Sequence, residues 1–372
     1  MARLDQICTL NMGQSPDSAS YNENGEGIPF FQGNADFGII HPKVRVWCNA
    51  PTKIAHEGDI LISVRAPIGA LNIADRECCI GRGLAALAVN EALCDKDYLW
   101  YAIASKVDEL NSKGTGSTFK AIGKNVLAET EIPLLDLTEQ EKIAGSLKKV
   151  DELITLRKEQ LAKLDRLVKS RFIELFGDPV DNPKGWKKDK AENYIDLISG
   201  FPFDSSKYTE SGVNICGGLI IMPQRIEWGD CKHWCSIDGY EEYALNENDI
   251  VIALDRPWIS EGFKIAMVEA EHLPALLIQR TARIRAIGLN QFYLMYCFLL
   301  GGFDKHCNVT GSLVPHISAK DIRSFAIMLP PIDLQEQFAA FVEQTDKSKM
   351  AIQQSLEKLE LLKKSLMQEY FR

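Results

Sequence analysis

Along residues 139–176 apolar side chains recur at spacings that alternate between three and four. Ile143, Val150 and Leu164 fall on one register, and Leu147, Ile154, Leu161, Val168 and Leu175 on the other. Arg157 and Arg171 are the only polar residues on the stripe. A period of seven keeps one helix face turned toward a partner helix, so the pattern predicts a coiled-coil seam. The seam returns 195 residues later as Phe338, Val342, Thr345, Lys349, Ile352, Leu356, Leu359, Lys363, Leu366 and Tyr370. Identities at Leu161 and Leu356, Leu164 and Leu359, Leu167 and Leu362, and Phe176 and Phe371 keep the copies in step.

The echo reaches beyond the helices. Thr115-Gly116-Ser117 returns as Thr310-Gly311-Ser312, Glu57-Gly58-Asp59-Ile60 as Glu247-Asn248-Asp249-Ile250, and Ile80-Gly81-Arg82 as Ile278-Gln279-Arg280. A repeat that keeps its order predicts a duplicated, pseudo-symmetric chain. The expected units are a lobe at 1–137, a helix at 138–178, a second lobe at 179–333 and a second helix at 334–372. Within the lobes, the apolar runs Ile60 to Val64, Ala85 to Val89 and Asp249 to Leu254 have strand length. Asp97 to Val107 and Phe292 to Leu299 read as short helices. The class is α+β, with two mixed lobes. Thr138, followed three residues on by Glu141, reads as a capping box that starts the first long helix.

At 372 residues and 46% hydrophobic content the chain can bury two cores of ordinary size. Asp5 falls where the apolar core of a secretory leader would begin, and no run of about 18 apolar residues is present. A cytoplasmic protein is therefore expected. The 10 cysteines, with Cys78 beside Cys79, show no framework spacing and are expected as free thiols. Cys231, His233 and Cys235 lack a CxxC pair and a second ligand pair, so no metal is expected.

The net charge of −9 argues at first against a nucleic-acid partner. Its distribution changes the picture. Residues 1–137 carry 12 basic and 17 acidic side chains and residues 177–333 carry 15 and 21, while the helices are near balance. Yet 110–128 has no acid and holds Lys113, Lys120 and Lys124 around Gly114 to Thr118, and 305–320 is likewise acid-free. Hydroxyl and backbone donors beside a cation suit phosphate, which makes Ser117, Lys120, Lys124, Ser312 and Lys320 candidate phosphate contacts. The chain contains no GxxxxGK[ST], GxSxG or HExxH, and no Asp/Asn-Pro-Pro-aromatic segment. Binding is expected rather than catalysis. A coiled-coil interaction scaffold without a nucleic-acid role is the alternative these residues leave open.

Two lobes, each followed by a long helix with a Pro-x-x-x-Leu-x-Glu-Gln entry, together with Gly58 to Ser63 and the Thr-Gly-Ser loops, resemble the DNA-specificity subunit of type I restriction-modification systems. The resemblance covers essentially the whole chain. It implies that each lobe is a target recognition domain reading one half of a split, asymmetric DNA site. It implies that the two helices form an antiparallel coiled coil separating the lobes, and that the chain itself is not catalytic. Double-stranded DNA, two methylation subunits and restriction or translocase subunits are the implied partners, with no membrane. No cofactor is expected on this chain; S-adenosylmethionine, ATP and magnesium are expected on partner subunits. Arg and Lys favour guanine, and Asn and Gln adenine, so Gln32, Asn34, Arg65 and Arg82 in the first lobe and Arg225, Arg256, Gln279 and Arg280 in the second are the candidate base readers.

Overall fold

A computed structural model describes residues 1–116, 120–309 and 315–371. It divides the chain into two units, one of residues 1–159 with 353–372 and the other of residues 160–352. The division falls inside both long helices, so each unit is a lobe with part of each helix.

The first lobe is built from strands β1 (Cys8–Met12), β2 (Ile28–Phe31), β3 (Ile60–Ser63), β4 (Leu71–Ile73), β5 (Cys78–Ile80) and β6 (Leu84–Val89). An antiparallel sheet runs in the order β1-β6-β3-β4, and β2 pairs in parallel with β5 in a second sheet, Phe30 opposite Cys79. Every residue of β3 is buried because both faces of its sheet are covered. Ile60 and Ile62 pack with Tyr98, Leu99 and Leu127, while Leu61 packs with Phe31, Ile80 and Ala86. A strand covered on two sides must read as a continuous apolar run. Helices α1 (Lys96–Ser105), α2 (Lys124–Ala128) and α3 (Leu137–Phe176) follow.

The second lobe repeats this plan with β7 (Ile195–Ser199), β8 (Val213–Cys216), β9 (Ile250–Ala253), β10 (Ile265–Met267), β11 (Ala275–Leu277) and β12 (Thr281–Ala286). Its antiparallel sheet has the order β7-β12-β9-β10, and β8 pairs in parallel with β11. Here Ile250 and Ile252 face the helices, and Val251 and Ala253 face the second sheet. Helices α4 (Gln291–Leu300), α5 (Ala319–Ser324) and α6 (Ile332–Tyr370) complete it. The fold is α+β with two mixed lobes and two long helices. The strands and short helices lie within one or two residues of their expected bounds.

The start of the first long helix differs from expectation. α3 begins at Leu137, and the cap is Asp136, whose carboxylate accepts from Glu139 N at 3.0 Å. Thr138 lies inside the helix and caps nothing. An aspartate two residues earlier supplies both the acceptor and the negative charge favoured at a helix start.

Within each unit the two helices run antiparallel. In the first, Lys363 meets Asp151 at 2.6 Å and Arg157 meets Ser355 at 3.3 Å; in the second, Lys349 meets Asp165 at 2.7 Å and Arg171 stacks over Phe341 at 5.9 Å. Every seam position read from the heptads is buried or half-buried. The polar seam residues therefore carry partners: Lys349 and Lys363 lie against carboxylates, and Asp151 also accepts from Tyr101 Oη at 2.9 Å.

A buried glutamine fastens helix to lobe in each unit. Gln140 accepts from Asp95 N at 2.8 Å and donates to Leu93 O and Leu135 O at 3.2 and 2.8 Å. Gln335 accepts from Asn290 N at 2.9 Å and donates to Pro330 O at 2.8 Å. The Pro-x-x-x-Leu-x-Glu-Gln motif points to Gln337 as the second copy, but Gln337 is exposed and the structural counterpart is Gln335. The helix interior keeps the 195-residue offset; the motif at its mouth is displaced by two.

Candidate nucleic-acid interface

Each lobe has one edge where strand ends and loops are laced by backbone hydrogen bonds. In the first lobe Gly81 N donates to Phe31 O (2.8 Å), Val64 N to Gly83 O (2.9 Å), Ala66 N to Lys120 O (2.9 Å) and Ile122 N to Val64 O (2.9 Å). In the second, Ile278 N donates to Cys216 O (3.2 Å), Leu254 N to Arg280 O (2.9 Å), Arg256 N to Pro315 O (2.7 Å) and Ile317 N to Leu254 O (2.9 Å). The pairs show that Arg82 corresponds to Gln279 and Gly83 to Arg280. The sequence match of Ile80-Gly81-Arg82 with Ile278-Gln279-Arg280 is therefore out of register by one.

Glycines make these crossings possible. A Cβ on Gly13 would lie 2.1 Å from Gly81 O, and one on Gly200 would lie 2.0 Å from Ile278 O, so both lobes need glycine at that point. Elsewhere the small residue changes sides. In the first lobe Gly81 and Gly83 make room for Gln32, while in the second Gly217 and Gly218 replace Gln32 and Gly33, and Ile278 fills the vacated space.

The first-lobe candidates gather at this edge. Gln32 follows β2 and exchanges hydrogen bonds with Ser15 at 3.0 and 3.2 Å, and Ser15 accepts from Arg82 N at 3.3 Å. Asn34 opens the adjoining turn, braced by buried Asp36, which accepts from Gln32 N at 2.7 Å and is ion-paired to Arg45. Arg65 pairs through its backbone with Ala121, beside Lys120; Lys124 is the first residue of α2. Arg65, Arg82, Lys120 and Lys124 are exposed and have no ion-pair partner among the described residues. Lys113, by contrast, is tied to Glu109 at 2.6 Å.

The second lobe arranges its charges otherwise. Arg225 lies on a short hairpin and is held by Glu227 and Glu261 at 2.9 and 3.1 Å. Arg280 is paired with Asp255 at 2.9 Å; Arg256, Gln279 and Lys320 are exposed. Arg256 and Arg280 have φ of 44° and 65°, the left-handed region that costs a side-chain-bearing residue on the order of 1 kcal/mol or more. Two strained arginines on one edge suggest a functional constraint. Beneath them Lys264, 6% exposed, donates to Gly218 O, and burial followed by the Arg256 charge pushes its ammonium below the usual lysine range. Ser117 and Ser312 lie outside the described residues.

Elsewhere on this lobe Glu269, Glu271 and His272 bring ligand-type atoms within 4.8 Å of one another, with the imidazole 3.1 Å from Glu271. Cys231 Sγ lies 3.8 Å from His233 Nε2, and Cys235 is exposed. Among the described residues no helix is long and apolar enough to cross a membrane.

A family model described as the type I restriction modification DNA specificity domain matches residues 1–166 and 236–362. The chain belongs to that family. A Methanocaldococcus jannaschii protein provisionally described as the type I restriction enzyme MjaX specificity subunit is 44% identical over 158 residues, covering 42% of this chain and 37% of that relative. The match thus spans little more than a third of that relative's length. The type I restriction enzyme MjaVIII specificity subunit of the same organism is 25% identical over 332 residues, 84% of this chain and 78% of its own. Among solved structures, the S subunit of a type I restriction-modification system from M. genitalium is similar over 100% of this chain and 95% of that one, with a TM-score of 0.62 and 16% identity, a likeness of fold.

Sequence reasoning overlooked several residues of this specificity-domain chain. Gly13 and Gly200 carry a signal in hindsight, since each follows a strand at the same place in its lobe. Lys264 carries none, because a lysine that buries itself under a turn looks like any surface lysine.

Proposed function

We propose that this chain is the DNA-specificity subunit of a type I restriction-modification complex. The lobes at 1–137 and 179–333 act as target recognition domains, each reading one half of a bipartite, asymmetric site. The helices at 138–178 and 334–372 dock two methylation subunits and, with them, the restriction subunits. The chain itself performs no chemistry; methylation and cleavage belong to its partners. One observation carries the reading: both lobes keep the same backbone crossing while the side chains displayed on it differ. A duplicated reader with diverged tips is what two unlike half-sites require, whereas identical tips would be confined to a palindrome.

Phosphate contacts would come from Ser117, Lys120, Lys124, Ser312 and Lys320. Base contacts would come from Gln32, Asn34, Arg65 and Arg82, and from Arg225, Arg256, Gln279 and Arg280, with Arg225 the least free to move. The test is to express the chain with its methylation partners and map methylated adenines. Arg82→Ala and Gln279→Ala should each relax preference at one position, in opposite half-sites, at a cost of about 1–3 kcal/mol if the contact is bidentate. Relaxation in the same half-site, or in neither, would overturn the assignment of one half-site to each lobe.

A further inference from the structure

A single exposed leucine needs no explanation of its own. Leu219 is distinguished by where it stands and how it is held. It is 91% exposed, yet its neighbours Ile220 and Ile221 are 7% and 0% exposed and belong to the core between the sheets. The turn that displays it is closed by Ile220 N donating to Gly217 O at 3.1 Å and fastened by Glu227 N donating to Ile220 O at 2.8 Å. From below, the buried Lys264 ammonium bonds the carbonyl of Gly218. An apolar side chain is thus fixed outward on a braced turn and cannot fold back onto the core.

The turn belongs to the edge described above. Gly217 and Gly218 replace Gln32 and Gly33, which places Leu219 at the position of Asn34. A Cβ on Gly218 would lie 3.8 Å from Arg280 O, and the Lys264 that holds the turn feels the charge of Arg256. An apolar tip therefore stands beside the arginine-bearing edge, with Glu227, Asp230 and Lys232 lining the surface next to it. In the major groove only thymine presents an apolar group, its C5-methyl, and an aliphatic side chain fixed outward on a braced turn matches that surface.

Resting on the DNA-specificity reading, we infer that Leu219 reads a thymine C5-methyl group in the half-site of the second lobe, where the first lobe uses the polar Gln32 and Asn34.

The experiment uses the methyltransferase complex and a set of target duplexes in which each thymine of the second half-site is replaced in turn by deoxyuridine, which lacks only that methyl. With the unaltered chain, one replacement should lower methylation about 3- to 5-fold, the worth of burying one methyl group. Leu219→Ala should show the same loss on the thymine duplex and no further loss with deoxyuridine, whereas Leu219→Ile should retain the sensitivity. Preference in the first half-site should be unchanged in both variants, which also reports that they fold. Deoxyuridine sensitivity absent from the unaltered chain, or undiminished in Leu219→Ala, overturns the inference. Equal loss on all sequences in Leu219→Ala would mean a wedge or a packing role and overturns it as well. Failure of the complex to methylate any bipartite site would sink the parent reading instead.

Discussion

The two lobes solve one backbone problem with opposite choices of side chain. Where the chain crosses at the edge, the first lobe places bulk on one side, Gln32, and glycine on the other, Gly81 and Gly83. The second lobe has Gly217 and Gly218 against Ile278 and Arg280. The displayed chemistry is thereby inverted. The junctions with the helices differ in the same way. In the second unit Phe172, Phe176, Tyr293, Tyr296 and Phe338 form an aromatic cluster with ring centroids 4.7 to 6.3 Å apart. In the first, the counterpart of Phe172 is Met367, and a polar set, Tyr101, Asp151 and Lys363, does part of the fastening. Duplication has preserved the hydrogen-bonded frame, which tolerates no change, and released whatever projects from it.

The sharpest way to break this comparison is at the junctions. Phe172→Ala should cost about 3–5 kcal/mol, because it opens a cavity among rings that cannot collapse. Met367→Ala, at a half-buried and flexible position, should cost about 1–2 kcal/mol, less than full burial of such a side chain is worth. Hydrogen exchange resolved by unit would measure both. Equal losses would mean that the two junctions are energetically alike despite their composition.

Next come the buried glutamines. Gln140→Ala strands the Asp95 amide and two carbonyls in the interior, and should cost about 2–3 kcal/mol; Gln335→Ala should behave alike. Gln337→Ala should stay within about 0.5 kcal/mol, as an exposed side chain does. Denaturant unfolding gives the three values. A costly Gln337→Ala would restore the motif alignment that the hydrogen bonds contradict.

The reason that alignment misleads is physical. Heptad positions are dictated by which face is covered, so the seam from Ile143 to Tyr370 could be read off the chain. The strand cores Ile60 to Ser63 and Ile250 to Ala253 were legible for the same reason. Helix mouths are set by local hydrogen bonding that many side chains can supply. Asp136 rather than Thr138, and Gln335 rather than Gln337, were therefore decided by geometry that composition does not carry. The edge was partly legible: Lys120, Lys124 and Lys320 were visible as acid-free stretches, but Glu261 and Asp255, which engage Arg225 and Arg280, come from other segments. A register of one residue between Arg82 and Gln279 was fixed by backbone pairing alone.

The charge difference between the edges gives a smaller, solution-measurable effect. If Lys120 and Lys124 each neutralise a phosphate, the double alanine variant should lower the salt slope of DNA binding by the complex by about 2, near 0.9 per contact. Arg225→Ala should leave it unchanged, since that guanidinium is already neutralised by two carboxylates. An altered slope only in the Arg225 variant would exchange the roles assigned to these groups.

The smallest effect on stability tests the strain at the second edge. Arg280 stands where the first lobe has Gly83, and it adopts a left-handed backbone at φ 65° that glycine would take without penalty. Arg280→Gly relieves about 1 kcal/mol of strain and loses an exposed ion pair to Asp255 worth about 0–1 kcal/mol. The glycine also frees the unfolded chain, which offsets part of the gain. Stability should therefore remain within about 1 kcal/mol of the parent, and Arg256→Gly, at φ 44°, should behave the same way. Methylation of the target by the complex should nevertheless fall for both, because a cation has left the edge. Strain kept at no benefit to the fold is expected where a side chain is needed for contact with a ligand. If both glycine variants methylate as well as the parent across the whole range of salt, the arginines are not DNA contacts and their strained backbone serves only the crossing.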